Sequence, residues 1–99
     1  METIAALATA WGRSALAVLR VSGPEAQRIV GDLCPGGAPW TSRRASLRRA
    51  RGPDGVIDQV MVVWMPGPDS YTGEDVVELT CHGNPVIQQT LLDRLITLG

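Results

Sequence analysis

The segment Asp75-Val76-Val77-Glu78-Leu79-Thr80-Cys81-His82 (DVVELTCH), followed at once by Gly83-Asn84-Pro85, decides the fold. Its β-branched content predicts a strand. Alternation along that strand sets Val77, Leu79 and Cys81 on one face and Val76, Glu78, Thr80 and His82 on the other. Asn84 then supplies an N-cap and Pro85 the first helical position. Ile87, Leu91, Leu95 and Leu98 form the apolar stripe of that helix, widened by Leu92 and Ile96, and Gly99 stands at its C-terminal cap.

Outward from this unit, PGPDSYTG (66–73) is too rich in breakers for regular structure and reads as a loop. Before it, VIDQVMVVWM (56–65) reads as a strand, joined through the turn Gly52-Pro53-Asp54-Gly55 to a candidate edge strand, ASLRRAR (45–51). Residues 35–44 form a turn-rich connector. TIAALAT (3–9) and ALAVLRV (15–21) read as two more strands, separated by Ala10-Trp11-Gly12-Arg13-Ser14. Ser22-Gly23-Pro24-Glu25 has the spacing of a capping box, with Ser22 as N-cap. Ala26, Ile29, Val30 and Leu33 then recur at helical spacing. The predicted order is β-β-α-β-β-β-α, an α+β fold with a five-stranded mixed sheet and two helices on one of its faces.

The chain's 99 residues suffice for one domain, and 44% hydrophobic against 19% charged residues is a globular composition. All nine basic residues are arginines, against ten acids, for a formal charge of −1. No global field therefore recruits nucleic acid or an anionic membrane. Without lysine there is no Schiff-base chemistry and no P-loop, so the chain by itself is expected to be no P-loop nucleotide hydrolase. Cys34 and Cys81 with the single His82 cannot assemble a four-ligand zinc site, though one disulfide is formally open. VMVVWM (60–65) is the longest apolar run, far below the roughly 18 residues of a membrane span, and the expected location is cytoplasmic.

Four features carry chemistry. Glu78, in an apolar strand, is either on a solvated face or partly buried and paired. Arg20 poses the same question in the 15–21 strand. The two form either an internal salt bridge or a pair lining a cleft for a planar polar ligand. His82 is either a hydrogen-bonded structural residue or a catalytic one. Arg43, Arg44, Arg48, Arg49 and Arg51 are either a solvated run or a contact to RNA phosphates, without the interleaved aromatics that stack bases. Trp64 reads as a core or interface anchor, with Trp11 and Trp40 in connectors.

TIAALAT, then Gly12-Arg13 before ALAVLRVSGP, and later PGPDSYTGEDVVELTCHG running into an apolar helix, resemble the N-terminal domain of the MnmE (TrmE) tRNA modification GTPases. The match covers roughly 3–24 and 56–99, and departs from the family pattern at Trp11, Ser14 and Asn84. The resemblance implies a fold related to the tetrahydrofolate-binding domain of the glycine-cleavage T-protein and a role as folate-binding, homodimerising module. It implies that Arg20 and Glu78 contact the folate (5-formyl- or 5,10-methylene-tetrahydrofolate), with Tyr71, Thr72 and His82 as candidate pocket walls. It further implies an N-terminal domain, residues 1–99, truncated at its C-terminal end, with the helical domain and the G domain that binds GTP, Mg and K absent. Such a protein acts with the flavoprotein MnmG to build a (carboxymethyl)aminomethyl group at carbon 5 of the wobble uridine. Binding of tRNA is then expected of the full-length complex rather than of this fragment. A pure dimerisation or docking module without folate binding is the alternative.

Overall fold

A computed structural model of the chain describes residues 3–8, 15–37, 39–70 and 72–99. The elements run β1 (Ile4–Leu7), β2 (Leu16–Ser22), α1 (Ala26–Leu33), β3 (Ser46–Gly52), β4 (Gly55–Met65), β5 (Val76–His82) and α2 (Pro85–Leu98). This is the α+β order that the sequence predicts. The strands lie in the order β1-β2-β5-β4-β3, so the last strand of the sequence sits at the centre and β3 is an edge.

Every pairing is antiparallel, which corrects the expected mixed sheet. A helix can serve as the crossover between parallel strands. Here α1 is followed by the long connector 34–45, so β3 starts at the end of the sheet where β2 finishes and runs in the opposite direction to it, paired with β4.

Alternation buries one face. Ala17, Leu19 and Val21 of β2, Val60 and Val62 of β4, and Val77, Leu79 and Cys81 of β5 pack with Ala26, Ile29, Val30 and Leu33 of α1 and Leu91 and Leu95 of α2. Truncating a fully buried leucine such as Leu79 in such a core costs about 2–5 kcal/mol. Trp64 packs against the same cluster and is a core anchor. Trp11 lies outside the described residues.

Both ends of α2 follow the sequence. Asn84 Oδ1 accepts from the Val86 and Ile87 amides at 2.8 and 3.4 Å, and the Gly99 amide donates to the Leu95 and Ile96 carbonyls. The stripe is narrower than expected, because Ile96 is 63% exposed while the polar Gln88 is fully buried. The capping box of α1 does not form. Ser22 remains in β2, the helix starts at Ala26, and Glu25 makes no side-chain cap bond. Glu25 instead bonds Arg28 Nε at 2.7 Å, while Thr3 Oγ1 accepts from the Glu25 amide at 3.1 Å.

That arrangement depends on Gly23, whose φ of +139° and contact with Thr3 admit no side chain: a Cβ would lie 2.5 Å from Thr3 Cα. The Gly23 amide also donates to Asp75 O at 2.9 Å, so one glycine gathers the start of β1, the end of β2 and the approach to β5. No helix among the described residues is long and apolar enough to cross a membrane.

Candidate functional site

With both helices on one face, the other face of the sheet is open apart from its end at the fully buried Val76, and its centre is charged. Arg20 and Glu78 are register partners across β2 and β5. Arg20 Nη2 donates to Glu78 Oε1 at 3.1 Å, the two side chains being 35% and 23% exposed. Ala6 of β1 stands opposite Arg20 and Val63 of β4 opposite Glu78, so the row across the four strands reads Ala6, Arg20, Glu78, Val63. Strand alternation puts both charges here, because their neighbours Leu19, Val21, Val77 and Leu79 take the buried face. The pair is thus partly buried and ion-paired, and it projects onto an open apolar surface rather than into the core.

The other candidates are distributed around this pair. Thr72 is brought to one end of the face, where its Oγ1 and Ser22 Oγ are 2.7 Å apart; Ser22 lies two positions from Arg20 on the same side of β2. His82 stands at the opposite end, four strand positions or about 13 Å from Glu78. The structure therefore separates it from the central pair. Tyr71 lies outside the described residues.

His82 has a partner that sequence reasoning missed. Asp58, only 9% exposed, accepts from the His82 amide at 3.0 Å through Oδ2, and its Oδ1 is 2.8 Å from His82 Nδ1. The signal was present in an aspartate that interrupts the apolar run VIDQV. Asp75 was likewise overlooked; its Oδ1 accepts from the Gly67 amide at 2.8 Å and ties the 66–75 loop to the start of β5. No group of three or more His, Cys, Asp or Glu side chains among the described residues is placed to hold a metal ion. Cys34 and Cys81 are free and buried, and burial pushes both thiols up to about 11.

A carboxylate and a guanidinium side by side on an apolar face can recognise a planar ligand that carries donors on one edge and acceptors on another. They are not arranged for proton transfer to each other's partners or for nucleophilic attack. The site is suited to binding.

The pattern of the family described as "GTP-binding protein TrmE N-terminus" matches residues 3–99. Over 99 residues the chain is 50% identical to the tRNA modification GTPase MnmE of Phenylobacterium zucineum, covering 99% of this chain and 22% of that protein. It is 44% identical over 99 residues to the protein of that name from Granulibacter bethesdensis, again 99% of this chain and 22% of the relative. With the one from Acinetobacter baylyi the identity is 48% over 98 residues, 98% of this chain and 21% of the relative. The chain thus spans about a fifth of the length of the curated relatives it matches.

Proposed function

The chain belongs to the family of TrmE N-terminal domains, and from that premise we propose that it is the tetrahydrofolate-binding, homodimerising module of a tRNA modification GTPase. The observation that carries this reading is the Arg20–Glu78 pair in the middle of an uncovered, largely apolar sheet face. Its chemistry fits a pterin. Arg20 engages Glu78 through Oε1, and a carboxylate has about four lone-pair sites, so acceptor capacity remains on both oxygens for two parallel N–H donors. The 2-amino group and N3–H of a pterin form such an edge. The Arg20 guanidinium, with its fork of five N–H donors, suits an acceptor such as the pterin oxygen, the formyl group or the glutamate tail. Bound there, a folate supplies a one-carbon unit, while Glu78 and Arg20 hold and orient it.

A flat face covers only one side of a planar ligand. A second wall is needed, and Leu16 and Leu47, each 58% exposed, with Met61 at 40%, give a second copy of the chain an apolar surface to cover. In the whole protein, this module works with a GTP-, Mg- and K-binding G domain and with the flavoprotein MnmG. Their product is the (carboxymethyl)aminomethyl group at carbon 5 of the wobble uridine. One fact favours the alternative of a docking module without folate: Arg20 and Glu78 are already paired with one another. Titration with 5-formyltetrahydrofolate, followed by tryptophan fluorescence, separates the two. The folate reading predicts saturable binding, and the docking reading predicts none.

A further inference from the structure

The five arginines between 43 and 51 do not share one fate. Arg43 is committed elsewhere, its guanidinium donating to Asp69 O and its amide to Trp64 O of β4. Arg48 is 5% exposed, lies 4.4 Å over the Trp40 ring, and donates to Ser46 Oγ at 2.9 Å and to Gly36 O at 3.3 Å. It is a structural side chain with a buried charge. Arg44, Arg49 and Arg51 are exposed, and their guanidinium groups have no hydrogen-bond or ion-pair partner among the described residues.

Arg48, Arg49 and Arg51 line a cleft of about 390 Å³ along the free edge of β3, closed on its other side by Cys34–Gly37. Among the described residues, no aspartate or glutamate lines it. Of the acids outside the cleft, Asp32 and Glu25 hold Arg28, and Asp58 holds His82. A chain with a formal charge of −1 thus gathers the exposed guanidinium groups of Arg49 and Arg51 at one sheet edge. Arg49 and Arg51 are two strand positions apart, about 6–7 Å. That is comparable to the separation of neighbouring phosphates along one nucleic acid strand, and the guanidinium fork suits phosphate oxygens.

We propose that this arginine-lined cleft binds the phosphate backbone of an RNA. The contact is through phosphates, so it positions the RNA and carries little sequence preference. The cleft shares no residue with the Arg20–Glu78 pair, although Leu47 borders both the cleft and the apolar surface offered to a second copy. Charged side chains on an edge strand also guard against edge-to-edge aggregation. That role alone explains arginines on β3, but it does not require an acid-free concavity floored by a further arginine, and it predicts no affinity for RNA.

Fluorescence anisotropy with a short labelled RNA stem–loop, measured across a range of salt concentrations, tests it. Wild type is expected to bind with a salt-dependent affinity. Arg49→Ala/Arg51→Ala is expected to weaken binding about tenfold or more and to lessen the slope of log affinity against log salt by about 2. Arg28→Ala, which removes a charge paired on α1, is expected to bind within twofold of wild type. Circular dichroism monitors the fold, which surface changes at exposed residues leave intact. The proposal is overturned if wild type fails to bind RNA, if it binds phosphatidylserine vesicles in preference to RNA, or if the double variant keeps the wild-type affinity and slope. A loss in Arg28→Ala equal to that in Arg49→Ala also overturns it, because net charge would then be the cause.

Discussion

Glu78 Oε1 accepts a hydrogen bond from Arg20 Nη2 at 3.1 Å, while the next residues back along each strand, Leu19 and Val77, are fully buried on the opposite face. The ion pair is therefore an outward feature of the sheet, separable from its core. Glu78→Gln is expected to lower the unfolding free energy by no more than about 1 kcal/mol, the scale of a partly exposed pair. Urea denaturation followed by circular dichroism measures this. A much larger loss would make the carboxylate a structural element.

Gly23→Ala should be far more damaging, although it adds one methyl group. The backbone sits at φ +139°, and the new Cβ would meet Thr3 Cα at 2.5 Å. Strain of this kind alone costs about 1–3 kcal/mol, and the clash adds to it. A fall in the melting temperature of roughly 10 °C or more is expected in a thermal scan.

The buried thiols give stability a pH dependence of definite sign. Burial raises Cys34 and Cys81 from 9.0 to about 11, so between these values the unfolded chain has lost protons that the native chain keeps. Their contribution is constant below about pH 9 and is lost as pH rises toward 11, by up to about 2–3 kcal/mol per thiol. Denaturation midpoints measured from pH 8 to 11 should fall, and Cys34→Ala/Cys81→Ala should flatten the decline. At neutral pH neither thiol should react with a water-soluble disulfide reagent until the chain unfolds.

The uncovered face predicts self-association. Light scattering at high micromolar concentration is expected to show a dimer, and Leu16→Glu, placing a charge on that face, is expected to shift it toward monomer with the fold retained. A wild-type monomer under these conditions would contradict the proposed interface.

Much of this architecture is legible because local signals and tertiary demands agree. The 75–82 strand, the 52–55 turn and both caps of α2 rest on short-range chemistry, and each element appears where its residues place it. The start of α1 is different: Ser22 and Glu25 have capping-box spacing, but the approach of β1 to Gly23 supplies Thr3 Oγ1 to the Glu25 amide, and Ser22 is drawn to Thr72. Neither contact is local in sequence. The antiparallel sense of β3 is hidden for the same reason, since it depends on the path of the 34–45 connector. At the site, alternation sufficed to place Arg20 and Glu78 on a common type of face, but only the strand order makes them partners. Asp58 escaped notice because its partner, His82, is 24 residues away.

In the folate-binding function proposed for this module, Glu78 reads the donor edge of a pterin. Calorimetric titration of 5-formyltetrahydrofolate into wild type and Glu78→Gln tests it most directly. The amide offers one acceptor and sets an NH₂ against a donor, so the variant should lose about 1.5–3 kcal/mol, roughly ten- to a hundredfold in affinity. Binding by Glu78→Gln within twofold of wild type, with an unchanged circular dichroism spectrum, would contradict the claim.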